Sequence, residues 1–119
     1  MSGTVLVLGR DETAAAFLTA LLERGGIAAR AGHPDAAATR TVDDAPSLVL
    51  VDTDLTAVQA IRALDDAGRA TVPIVVLGAE TPGPAAAEMA TQAGATHYVP
   101  RPIVDSVLIN GVRMILDAG

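Results

Sequence analysis

Residues Ser47–Asp54, Ser-Leu-Val-Leu-Val-Asp-Thr-Asp, constrain the fold more than any other stretch. Leu48 to Val51 is an unbroken apolar run, rich in β-branched residues, too short for a helix and set just after Pro46. Such a run reads as a strand buried on both faces, the kind found at the centre of a parallel sheet. It stops abruptly at Asp52 and Asp54. Open α/β sheets keep their ligand crevice outside the carboxyl ends of the strands, so Asp52 stands where such folds keep their chemistry. The plainer reading is a strand that ends at the surface, where Asp is common.

The rest of the chain repeats the pattern. Thr4–Leu8 is a second buried strand, closed by Gly9. Asp11 or Thr13 can cap the helix that follows, with Phe17, Leu18, Leu21 and Leu22 on one face and Gly25-Gly26 at its end. Ile27–Ala31 is a weak edge strand, and His33-Pro34-Asp35 a turn in which Asp35 can cap a short Ala-rich helix to about Asp43. After Asp54, the stripe Leu55, Val58, Ile61 and Leu64 predicts a helix ending near Gly68. Pro73 precedes the strand Ile74–Leu77, closed by Gly78, and Thr81–Pro84 is a loop. Ala85–Ala93 is a short helix ended by Gly94, and His97-Tyr98-Val99 a short strand leading to Pro100-Arg101-Pro102. Ile103, Val107, Leu108, Val112, Ile115 and Leu116 make the last amphipathic helix, with Gly111 a weak point inside it. Five alternations of strand and helix predict α/β architecture, a doubly wound five-stranded parallel sheet with helices on both faces. Residues 1–119 are expected to form one domain.

Composition narrows the function. Net charge is −6 and every basic residue is a scattered Arg, which argues against nucleic-acid binding by this domain, since phosphate contacts need clustered cations. No Cys is present and only His33 and His97 offer imidazole, so thiolate metal sites are excluded and a histidine site is not expected. No apolar run approaches the ~20 residues that cross a bilayer. The N-terminus lacks the basic start and apolar stretch of a signal peptide, and a cytoplasmic protein is the expectation.

Taken in order, several segments resemble the receiver domain of bacterial two-component response regulators. Val5-Leu6-Val7-Leu8 resembles its first strand, and Leu48–Asp52 the strand that ends in the phospho-accepting aspartate. Pro73–Ala79 resembles the fourth strand, and Gly94–Pro102 the fifth strand with its Lys-Pro ending. The resemblance covers nearly the whole chain and implies a (βα)5, flavodoxin-like sheet of order 2-1-3-4-5. It makes Asp52 the acceptor position and Tyr98 the aromatic switch position.

The departures from the family pattern decide the expected function. The acidic pair that holds Mg²⁺ falls on Gly9 and Arg10, the phosphoryl-binding Thr or Ser on Gly78, and the Lys on Arg101. Asp11 comes one place too late, Asp54 runs straight into the next helix, and Ala79 follows Gly78 in the pocket. Mg²⁺ needs carboxylate oxygens in near-octahedral geometry, and phosphoryl transfer depends on neutralising charge around the transferred group. No cofactor, no Mg²⁺ and no enzyme activity are therefore expected. Asp52 is expected to be held in an ion pair, with Arg10 reaching across the first and third strands and Arg101 the other natural partner.

These departures lead to a pseudo-receiver, an interaction module independent of phosphorylation. Its partner would be a histidine kinase or downstream regulator, or a second copy through the fourth helix, fifth strand and fifth helix. One alternative is a genuine acceptor on Asp52 with altered metal needs, which predicts a mass gain with a phosphodonor. The other is nucleotide binding at the Gly9 turn, whose later glycines are missing and which a labelled-nucleotide titration would decide.

Overall fold

The computed structural model describes residues 4–66, 72–78, 85–101 and 103–118. Five strands alternate with five helices: β1 (Val5–Leu8), α1 (Glu12–Arg24), β2 (Ala29–Gly32), α2 (Ala37–Asp44), β3 (Leu48–Asp52), α3 (Leu55–Asp66), β4 (Ile74–Leu77), α4 (Ala86–Ala93), β5 (His97–Val99) and α5 (Asp105–Ala118). All pairings are parallel and the order is β2-β1-β3-β4-β5, as expected. The wholly apolar runs occupy the three inner positions, and every residue of β1 and β4 is buried, as are Leu48–Val51 of β3. The polar, partly exposed β2 and the three-residue β5 take the edges. This is what a sheet covered on both faces demands of its sequence.

Alternation along the strands divides the core in two. Val5, Val7, Leu48, Leu50, Val75 and Leu77 face α1 and α5. Leu6, Leu8, Val49, Val51, Ile74 and Val76 face α2, α3 and α4. Gly94 ends α4 at φ +118, a backbone conformation that L side chains rarely adopt.

Several local expectations are corrected. β2 runs two residues later than its first apolar residue: Ile27 is buried in the turn before the strand, its N–H donating to Leu22 O at the end of α1. Asp11, not Thr13, caps α1, accepting from the Thr13 and Ala14 N–H groups. Asp35 caps nothing; His33 Nδ1 accepts the Asp35 N–H at the start of a 3-10 turn over Pro34–Ala36, and the Asp35 carboxylate is taken by Arg10. Phe17 shares a helical spacing with the buried Leu18, Leu21 and Leu22, yet it is exposed. α1 covers the sheet with a narrower stripe than its apolar residues suggest, whereas the α3 stripe of Leu55, Val58, Ile61 and Leu64 is buried or half-buried throughout. Gly68, Thr81–Pro84, Ala79 and Pro102 lie outside the described residues.

Candidate functional site

The register brings four strand ends together. Leu8 lies beside Val51, Asp52 beside Leu77, and Leu77 beside Val99. Gly9, Asp52, Gly78 and the Pro100-Arg101 segment therefore meet at the carboxyl edge of the sheet, the place where this topology forms its crevice.

Arg101 closes the edge. From beyond β5 its guanidinium reaches back across the end of β4, with Nε and Nη1 donating to Gly78 O at 3.0 and 3.4 Å. Its Nη2 donates to Asp52 Oδ1 at 2.8 Å. The two side chains are only 20% and 14% exposed. One planar cation thus satisfies a carboxylate and a strand-end carbonyl from a fixed fork, a geometry that a Lys ammonium does not reproduce.

Arg10 does not do what its position suggested. Nε donates to Asp54 Oδ2 at 2.8 Å and Nη2 to Asp35 Oδ1 at 3.1 Å, so the exposed guanidinium bridges Asp54 and Asp35 rather than Asp52. The Asp54 carboxylate, then that of Asp35, raises its pKa above the ordinary arginine value. The cause of the redirection lies at Thr53, whose φ of +65 is an outlier for a β-branched residue. The Asp54 N–H turns back onto Asp52 O at 2.9 Å, while the Thr53 N–H continues the ladder onto Leu77 O. This tight reversal sets Asp54 in front of α3, where Oδ1 accepts from the Thr56 and Ala57 N–H groups and Oδ2 is left for Arg10. Arg10, Asp11, Asp52 and Asp54 still line one shallow depression of ≈ 590 Å³.

Gly78 has a steric reason to be glycine. Tyr98 pairs with Val76 across β4 and β5 and packs against the core cluster shared with α3 and α4. A β-carbon on Gly78 would overlap the Tyr98 hydroxyl and lie 2.9 Å from its Cζ. The ring tip fills the space that a side chain at position 78 would need. Its hydroxyl is buried with no hydrogen-bond partner among the described residues. Gly9 is different, because a β-carbon there would meet Ala15 and Asp52 Cβ at 3.4 and 3.6 Å, ordinary contact distances. No collision forbids a carboxylate at position 9; the chain simply carries none.

The donor set does not fit Mg²⁺. Gly9 and Arg10 offer no carboxylate, Asp52 Oδ1 is bonded to a guanidinium, and Asp11 and Asp54 each use one oxygen as a helix cap. No group of three or more acidic or imidazole side chains able to hold a metal occurs among the described residues. Sequence reasoning located Asp52, Arg101, Gly78 and Tyr98. It missed the Thr53 reversal, the Arg10 bridge and the packing of Tyr98 onto Gly78.

No protein-family model matches the sequence, and no curated protein matches it. Solved structures do match closely in fold. A two-component response regulator of the LuxR family from Aurantimonas sp. SI85-9A1 is 22% identical with a TM-score of 0.82, over 99% of this chain and 87% of that one. The beryllofluoride-activated N-terminal receiver domain of RstA from Klebsiella pneumoniae is 20% identical, TM-score 0.81, over 95% and 97%. The signal receiver domain of a signal transduction histidine kinase from Syntrophus aciditrophicus is 20% identical, TM-score 0.83, over 98% and 92%. The chain therefore has the fold of the response-regulator receiver domains that it resembles in sequence order. No described helix is long and apolar enough to cross a membrane.

Proposed function

We propose that the chain acts in two-component-type signalling as a pseudo-receiver, a cytoplasmic protein-interaction module that works without phosphorylation and without catalysis. The observation that carries this reading is Arg101 Nη2 on Asp52 Oδ1 at 2.8 Å, with no carboxylate at Gly9 or Arg10 to bring in a divalent cation. A nucleophilic carboxylate needs its charge free and the incoming phosphoryl charge neutralised. Here a permanent cation holds the acceptor instead. Tyr98 in the notch at Gly78 supports the same reading, because the space for a phosphoryl-binding hydroxyl at position 78 is filled by the ring. The partners this module fits are a histidine kinase or a downstream regulator, recognised by contact, and the acidic surface disfavours nucleic acid.

One observation favours the second reading, a true acceptor with altered metal needs. Arg101 bonds only Oδ1 of Asp52, and Oδ2 has no hydrogen-bond partner among the described residues. Incubation with acetyl phosphate over a series of divalent metals, followed by intact-mass measurement, separates the two. The pseudo-receiver gives no Asp52-dependent mass gain under any metal; a stoichiometric gain abolished by Asp52→Asn would establish the acceptor.

A further inference from the structure

Little apolar surface holds α2 to the sheet. Of its eight residues only Ala37 and Thr41 are buried, whereas α1 buries four apolar residues and α3 buries Ala57, Val58 and Ile61. Thr41 is the one buried polar residue among those described, and its hydroxyl has no hydrogen-bond partner. Leaving such a group unpaired in the closed structure costs stability. Ala36 gives the helix no side-chain cap at its start. At its end Ala45 sits at φ +45, a position that favours glycine. The Arg40–Asp44 ion pair joins two residues of the same helix, so it stiffens α2 without attaching it.

The entry to α2 is held by Arg10. Asp35 lies in the 3-10 turn just before the helix, and its carboxylate accepts from Arg10 Nη2. Nε of the same guanidinium is bonded to Asp54, the residue after Thr53. Ala45 and Thr53 are the only non-glycine residues at positive φ among those described, and they bracket β3. The strand that carries Asp52 is therefore entered and left through strained residues. One guanidinium ties the far end of the α2 segment to the second of them.

We infer that residues 33–45 open as a unit while the rest of the fold stays closed, and that Arg10 is the latch of that opening. Elements with few buried apolar contacts are the ones that open locally. Opening breaks the Arg10–Asp35 contact, keeps the Arg10–Asp54 contact, and relieves both the Ala45 strain and the Thr41 hydroxyl. It uncovers Leu6 and Leu8, which share a core cluster with Ala37. Whatever draws Arg10 away from Asp35 at the carboxyl edge of the sheet is thereby read out as a freed α2. The inference does not depend on whether Asp52 accepts a phosphoryl group.

The chain has no Cys, so thiol labelling gives a direct test. Ala37→Cys places a thiol under α2, and Ala57→Cys places one in the same core cluster on α3. Ala37→Cys should label at least tenfold faster, and its rate should hardly change at low urea, where that of Ala57→Cys climbs with global unfolding. Arg10→Ala should speed labelling of Ala37→Cys about two- to fivefold, the range of an exposed ion pair. Added salt should speed it in the parent background but not with Arg10→Ala, because the latch is then already gone. Thr41→Val and Ala45→Gly should each slow it about threefold or more. Amide hydrogen exchange of the unsubstituted chain reads the same opening without a cysteine in the core, and decides where the two methods differ: the α2 amides should exchange ahead of those of α1 and α3. If α2 amides exchange only with global unfolding, the opening unit is overturned. If α2 opens first but Arg10→Ala leaves its rate unchanged, the latch is overturned.

Discussion

Arg101→Ala should be the most costly single change at the carboxyl edge of the sheet. The guanidinium makes one charge-assisted bond to Asp52 and shares another with Gly78 O. Charge-assisted hydrogen bonds contribute about 1.5–3 kcal/mol and neutral ones about 0.5–1.5. Exposed ion pairs contribute roughly 0–1 kcal/mol, and breaking a buried pair costs about 3–5. With side chains 20% and 14% exposed, the pair lies between these limits, and a loss of about 2–3 kcal/mol follows. Asp52→Asn keeps an oxygen for Arg101 but removes the charge, so it should cost less, and in the double variant about 1–2 kcal/mol of coupling should appear. Urea unfolding of the four proteins of the cycle measures it, with an unchanged m-value as the sign that the denatured state is not responsible. Arg10→Ala serves as the internal control: its exposed guanidinium touches Asp54 and Asp35 and not Asp52, so it should show no coupling to Asp52. A coupling near zero for Arg101, or a larger one for Arg10, would refute the assignment of the cation.

Gly78→Ala should drive the Tyr98 ring from its notch at a cost of about 1–3 kcal/mol; Tyr98 is the single Tyr in a chain without Trp, so acrylamide quenching of its fluorescence reads the displacement, and unchanged quenching counts against it. Thr53→Gly should stabilise the protein, by about 1 kcal/mol, because relief of a β-branched residue at φ +65 outweighs the added chain entropy; a loss of stability would show that the Thr53 side chain contributes more than its strain. Added salt should weaken the exposed Arg10 bridge more than the sheltered Arg101 pair, read as the salt dependence of each variant's stability difference.

The sheet was legible because three apolar runs can only be inner strands, and because their order along the chain fits a right-handed parallel winding. The site was legible in part. Asp52 ends a strand and Gly78 and Arg101 follow strands, and the ends of parallel strands converge whatever the side chains do. The Arg10 partner was not legible, since a Thr at positive φ leaves no mark in sequence, and that one torsion decides that Asp54, not Asp52, receives the guanidinium. Helical periodicity identified apolar stripes but could not tell which stripe meets the sheet. Phe17 repeats at the right spacing and still faces outward. The tie between Gly78 and Tyr98 needed the β4–β5 register, which sequence pattern alone does not specify.

The central claim, that Asp52 is held by Arg101 and does not receive a phosphoryl group, is tested most directly by amide-resolved NMR of the protein titrated with Mg²⁺ and beryllofluoride. The account predicts spectra that superimpose on those of the untreated protein up to millimolar Mg²⁺. Saturable shifts centred on Asp52, Gly78 and Arg101 would contradict it.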